Sequence, residues 1–228
     1  RGLEIELSGK IIDTKDWKWS MSGNISYNKN KVISLPDNGL ERNRQGGQQI
    51  YTGEKLTKEN GEIEYVKRWV GGTQVGMEPG TMVVYQSEGV YRSWDEIPGD
   101  LVITSGNYFG KKLYGPDAWK KLTKAEQKNA LPIMPGDMKW KDINGDRVID
   151  QYDQVELGNT IPHWTGGFNT TLRWKNLQLY GRFDFALDYW IYDHTTPEIF
   201  LACAQGTYNT TKDVYDTWSE DNPGAKYP

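Results

Sequence analysis

The feature that most restricts this chain is a period-two alternation sustained over unusually long runs. In "LEIELSGKI", Leu3, Ile5, Leu7, Gly9 and Ile11 alternate with Glu4, Glu6, Ser8 and Lys10, which sends the two sets to opposite faces of a strand. After a polar turn at Asp13 to Asp16, Trp17, Trp19, Met21, Gly23, Ile25 and Tyr27 alternate with Lys18, Ser20, Ser22, Asn24, Ser26 and Asn28. The unit returns downstream, where Phe168, Thr170, Leu172 and Trp174 share one face and Lys175 and Asn176 interrupt. There Leu177, Leu179, Gly181, Phe183, Phe185, Leu187 and Tyr189 oppose Gln178, Tyr180, Arg182, Asp184, Ala186 and Asp188. Strands of water-soluble sheets usually run to about 5 or 6 residues. Runs of about ten suit a strand tilted across an outer membrane, although alternation alone leaves a large soluble β-protein open. On the membrane reading, Trp17, Trp19, Met21, Ile25 and Tyr27 face lipid, and Lys18, Ser20, Asn24, Arg182 and Asp184 face the interior.

Two hairpins with very short turns therefore bracket a long polar excursion, and a second excursion follows. Outer-membrane barrels show this asymmetry, with tight turns on one side and long loops on the other. Composition agrees: only 36% of residues are hydrophobic, yet 10 Trp and 14 Tyr raise the aromatic share to 13%, which suits aromatic belts or a sugar-binding surface. A net charge of -4 argues against a nucleic-acid partner, whose phosphates require a basic face. No apolar run approaches the ~18 residues of a membrane helix. The single Cys203 forms no internal disulfide and reads as a small loop hydrophobe. The opening "RGLEIELSG" has no initiator methionine or leader, so the chain is read as a piece of something longer.

Within the excursions, Gly80 to Ser93 reads as a strand. Thr123 with Glu126 forms a capping box that predicts a helix over 124–130, and a second short helix is expected around Lys212 to Trp218. The densest chemistry lies in "DINGDRVIDQYD". Numbered from Asp142, a calcium loop would use Asp142, Asn144, Asp146, the Val148 carbonyl, Asp150 and Asp153 at positions 1, 3, 5, 7, 9 and 12, with Ile149 at the apolar position 8. Arg147 stands where glycine is expected, and position 12 is Asp rather than Glu. The competing reading is an Asn144-Gly145 turn with solvated carboxylates. His163 and His194 sit at strand ends, where a lone histidine is more often interfacial or solvent-facing than functional. Trp69, Tyr85, Tyr91, Trp94 and Trp119 are read as packing or partner contacts before sugar platforms. No residue is assigned a catalytic role.

The order "LEIELSGKIIDTKDWKWSMSGNISYNKNKV", then "PGDMKWKDINGDRVIDQYDQVELGNTIPHWTGGFNTTLRWKNLQLYGRFDFALDYW", then "TWSEDNPGAKYP", resembles the C-terminal half of SusC/RagA-family TonB-linked outer-membrane proteins. The NGD segment running into "LGNTIPHWTGGFNTT" and the closing Trp218, Asn222, Pro223, Ala225 and Pro228 carry most of that resemblance. It implies an all-β fold, part of a large antiparallel transmembrane β-barrel with long extracellular loops containing short helices. Hairpins would lie at about 3–28 and 164–192, and extracellular loops at about 29–163 and 194–228. It further implies the outer membrane of Bacteroidota, contact with lipid, energy from TonB through parts upstream of Arg1, and a SusD-like surface lipoprotein that captures glycans or peptides. No enzyme activity is implied. The alternative is a calcium-containing cell-surface β-protein that binds or degrades glycans.

Overall fold

A computed structural model describes residues 1–104, 110–197 and 211–228. Its strands are β1 (Gly2–Asp13), β2 (Trp17–Asn28), β3 (Gln48–Thr57), β4 (Ile63–Val70), β5 (Thr81–Tyr85), β6 (Ser87–Val90), β7 (Val102–Ile103), β8 (Lys112–Tyr114), β9 (Ala130–Pro132), β10 (Met138–Trp140), β11 (Val148–Ile149), β12 (Gln154–Asn159), β13 (Trp164–Trp174) and β14 (Leu177–Leu187). Two short helices, α1 (Pro116–Lys121) and α2 (Lys124–Gln127), interrupt them. The chain forms two compact units. One comprises Arg1–Gly47, Gly71–Met82 and Leu157–Ile191, and the other Gln48–Val70, Val83–Glu156 and Tyr192–Pro228.

The first unit is built on a four-stranded antiparallel sheet of order β1-β2-β13-β14. Thr14 closes the first hairpin, its backbone N–H donating to the Trp17 carbonyl at 2.7 Å and its hydroxyl accepting from the Trp17 N–H at 3.0 Å. Lys175, at a left-handed φ of 51°, turns the second with Asn176. The two hairpins are not separate. β2 pairs with β13 along its whole length, from Trp164 opposite Tyr27 to Trp174 opposite Trp17, although residues 29–163 intervene.

Three local readings need correction here. A bulge between Lys10 and Ile12 shifts the register, so Ile12 rather than Ile11 pairs with Trp19; one extra residue flips the parity of everything beyond it. β14 stops at Leu187 rather than reaching residue 192, because Asp188 takes φ 59° and leaves the extended region. The stretch 80–93 is two strands, β5 and β6, of which β6 pairs with β10.

The second unit has a water-excluding core of Tyr91, Ile97, Leu101, Ile103, Leu113, Ile133 and Ile149. A small sheet of order β11-β7-β8-β9 supplies much of it, parallel at β11/β7 and β8/β9 and antiparallel at β7/β8. α2 carries the expected capping box, with the Glu126 N–H donating to Thr123 Oγ1 at 3.3 Å and the Thr123 N–H to Glu126 Oε2 at 2.8 Å, but it ends at Gln127 rather than 130. The segment after Thr211 is a 3-10 turn over Lys212–Asp216. Trp218 then lies against Gly136, where a β-carbon would come within 2.9 Å of the indole, and its Nε1–H donates to the Arg92 carbonyl at 3.2 Å. That contact requires glycine and fastens the closing Trp-Asn-Pro segment. Cys203 lies outside the described residues.

Candidate functional site

Residues directly opposite one another in a sheet share a face, so the register sorts every side chain of the four strands. Leu3, Tyr27, Trp164 and Leu187 form one row; Ile5, Ile25, Gly166 and Phe185 the next; Leu7, Gly23, Phe168 and Phe183 the third. Gly9, Met21, Thr170 and Gly181 follow, and then Ile12, Trp19, Leu172 and Leu179. The other face carries rows such as Glu6, Asn24, Gly167, Asp184 and Ser8, Ser22, Asn169, Arg182. One face is thus continuously apolar and the other continuously polar. The two predicted sets fall on opposite faces of the sheet.

The apolar face is bounded by aromatics at both ends. Trp17 stacks on Trp174 with centroids 5.6 Å apart, and Tyr27 lies 4.6 Å from Trp164. At about 3.3 Å per residue and a tilt of about 40°, the strand length between these pairs projects to roughly 25 Å, the height of an outer-membrane apolar band. Between them the large side chains stay exposed, Leu7 to 73% and Phe183 to 57%. One polar pair on this face satisfies itself: the Trp19 indole N–H donates to Thr170 Oγ1 at 2.9 Å, which keeps both groups partnered where water is scarce. The Phe185 ring lies over Gly166, where a β-carbon would approach it to 2.7 Å, so ring and glycine replace a side-chain pair. On the polar face Arg182 Nε and a terminal guanidinium nitrogen donate to the two Asp184 oxygens at 3.0 and 3.2 Å.

The acidic loop belongs to the second unit and is folded around its own backbone. Asp142 accepts from the N–H groups of Gly145 and Arg147 at 2.7 and 2.9 Å, Asn144 Oδ1 from Asp146 at 3.0 Å, and Asp146 Oδ1 from Val148 at 2.8 Å. Asp150 Oδ1 accepts from Tyr152 at 2.7 Å, and Asp153 from Ile143 and Asp150 at 2.9 and 2.8 Å. These are Asx-type turns, in which short acidic side chains replace missing backbone partners. Ile149 anchors the loop in the core, as its apolar position requires. The carbonyls of Arg147 and Ile149 accept from the N–H groups of Val102, in β7, and Thr104, just beyond it; successive strand carbonyls alternate, which turns that of Val148 away from β7. Arg147 has φ 68°, the conformation that makes glycine the expected residue there.

Asp153 is fully buried. Burial above all, against the pull of the two backbone donors and with the help of the Asp150 and Asp142 carboxylates, pushes its carboxyl up to about 6. The Tyr51 hydroxyl donates to Asp150 Oδ2 at 3.2 Å, and burial followed by that carboxylate raises its phenol well above the ordinary value. The six predicted oxygen positions are therefore on one loop, and the donor set is of the kind a hard cation takes. Among the described residues, however, no three His, Cys, Asp or Glu side chains gather as a metal site.

His163 departs most from its sequence reading. It is mostly covered, with Nδ1 2.6 Å from Asp188 Oδ2 and Nε2 2.6 Å from Glu78 Oε1. Neither carboxylate is near it in sequence, so no spacing signals the bridge. His194 is exposed beside Tyr192, as expected for a strand-end histidine.

No family model matches the chain. It is 25% identical over 228 residues to TonB-dependent receptor P3 of Formosa agariphila, and 26% and 22% identical to receptors P39 and P26 of the same organism, with the whole chain covered each time. Among solved structures, the RagAB peptide transporter matches the whole chain with a TM-score of 0.52 at 18% identity, and the RagAB peptide importer in its closed-closed state with 0.51. The chain matches TonB-dependent receptors from end to end. It spans only 18–20% of the length of those curated relatives and 19% of the solved chains.

The resemblance to SusC/RagA-family TonB-linked proteins read from the sequence is borne out, and the four-stranded sheet is a segment of the TonB-dependent barrel fold. Those relatives are named as receptors, in line with the reading that the chain is not an enzyme. Of the loop aromatics, Tyr91 is in the core and Tyr85 packs against it. Trp69 and Trp119 are half-buried, and Trp94 is exposed.

Proposed function

We propose that the chain is part of an outer-membrane importer, driven through TonB, that takes up oligosaccharides or peptides with a SusD-like surface lipoprotein. The observation that carries this is the four-stranded sheet, whose apolar, aromatic-bounded face fits lipid while its opposite face is polar throughout. The whole-length match to TonB-dependent receptors supports the transport class, and the RagAB neighbours, named for peptide transport, favour a lipoprotein partner. Import requires no chemistry on its substrate, so the reading needs no catalytic constellation. The polar loops 29–163 and 194 onward are assigned to the outer side and to the lipoprotein. Deleting the intact gene should abolish growth on one complex nutrient while sparing its small monomeric products. Normal uptake of every oligomer by the deletion strain, or purification of the intact protein as a soluble monomer, would overturn it.

We also propose one calcium ion on the Asp142, Asn144, Asp146, Val148, Asp150 and Asp153 loop. What supports it is the oxygen at every ligand position and the burial of Asp153 beside two like charges, which a cation would relieve. Each carboxylate keeps lone pairs to offer the ion beside its backbone N–H bonds. Calcium titration followed by melting should show a stabilised loop unit and proton release near pH 6. An unchanged melting temperature, with no anomalous density in the loop, would sink the idea.

A further inference from the structure

The chain Glu78–His163–Asp188 plays no part in the import reading and holds whether or not that reading stands. His163 directly precedes β13, Asp188 directly follows β14, and Glu78 lies on the Gly71–Met82 segment, all within the first unit. Both ring nitrogens meet a carboxylate oxygen at 2.6 Å. An ionised carboxylate only accepts, and a neutral imidazole carries a single N–H. Both bonds therefore exist together only when the ring holds two protons.

We propose that His163 is a proton-operated clamp at the loop-side end of β13 and β14: the imidazolium ties Asp188 and Glu78 together, and deprotonation releases the Asp188 arm. That arm is the one to go because Asp188 is 65% exposed while Glu78 is 19% exposed, so water replaces the lost bond more readily at Asp188. The other groups around the clamp are the Tyr27 ring, 6.2 Å from the imidazole, and Arg1, Lys29 and Lys31, which line the same cavity as Tyr27 and Glu78. The hydrogen bonds to Asp188 and then to Glu78 hold the ring's pKa above its ordinary 6.5. Because the folded value is the raised one, the tie is fully present below 6.5 and is lost as pH rises through the folded value.

The Trp190 amide reports on it, since its N–H donates to the Asn159 carbonyl at 2.8 Å just beyond Asp188. In the intact protein that contains this chain, hydrogen exchange at Trp190, corrected for the intrinsic pH dependence, should accelerate about tenfold between pH 5.5 and 8.5, the order expected for losing one hydrogen bond to a charged group. Glu78→Gln should abolish that acceleration, because its amide N–H can donate to the bare Nε2 while Nδ1–H stays on Asp188. His163→Phe should be fast at both pH values. Equal corrected rates in the wild-type protein, or an undiminished acceleration in Glu78→Gln, would overturn the clamp.

Discussion

Phe183 and Ile133 are both large apolar side chains, yet Phe183 is 57% exposed and Ile133 is wholly buried. The contrast runs through the two units. In the four-stranded sheet the apolar residues line up across strands on one exposed face, and what lies between them is small: Gly9, Gly23, Gly166 and Gly181. In the loop unit, apolar residues from short and separate segments converge on one another around Tyr91 and Ile103. A face that is apolar and exposed needs an apolar partner, lipid on the import reading proposed above, whereas a converging core is what water drives. On that reading one sequence encodes two solvents, and a substitution should be punished according to which one it meets.

The largest expected effect tests the water-driven core. Ile133→Ala should cost about 2–5 kcal/mol, because a fully buried side chain leaves a cavity its neighbours only partly fill; unfolding of the loop unit by urea would measure it. A loss below 1 kcal/mol would mean that this core is looser than its burial implies. Next comes the lipid face. Met21→Arg, in the central row of the sheet, should cost about 2–4 kcal/mol and lower barrel assembly, while Ser22→Arg on the polar face should be milder. Equal damage at the two neighbours would erase the distinction between the faces.

Asp153→Asn should cost about 1–3 kcal/mol, since an amide can accept from only one of the two backbone N–H groups that Asp153 serves. It should also change the pH profile. Asp153's carboxyl is raised by burial to about 6, so the wild-type loop is most stable below the unfolded carboxyl value near 3.8 and loses that contribution as pH rises through about 6. Melting curves of the variant should lack that decline, and an unchanged decline would assign it elsewhere. The smallest effect is a gain: Arg147→Gly should stabilise by about 0.5–1 kcal/mol, because the left-handed backbone at Arg147 strains any residue with a β-carbon. A loss instead would show that the arginine side chain contributes more than its backbone costs.

Much of the sheet was legible because its signal is local. Trp17 through Tyr27 announce a strand, its two faces and its aromatic ends without reference to any partner, and Thr123 with Glu126 announces a helix start in the same way. The acidic loop was legible as a set of oxygens, but not in what they bind first: their nearest donors are the N–H groups two to ten residues away, which only the folded turn brings together. The alternation places Ile11 on the apolar face and the structure puts Ile12 there, because a bulge is a property of two strands and leaves no mark on one. His163 was read as a bystander because its partners lie at positions 78 and 188.

The sequence alone determined the alternation, the two hairpins and the residue types of the loop, since each follows from backbone periodicity over a few neighbours. The pairing of β2 with β13, the burial of Asp153 and the bridging of His163 were decided only by the tertiary structure. Each depends on groups distant in sequence being brought within hydrogen-bonding reach, and the entropy of closing such loops leaves no local trace in the residues themselves.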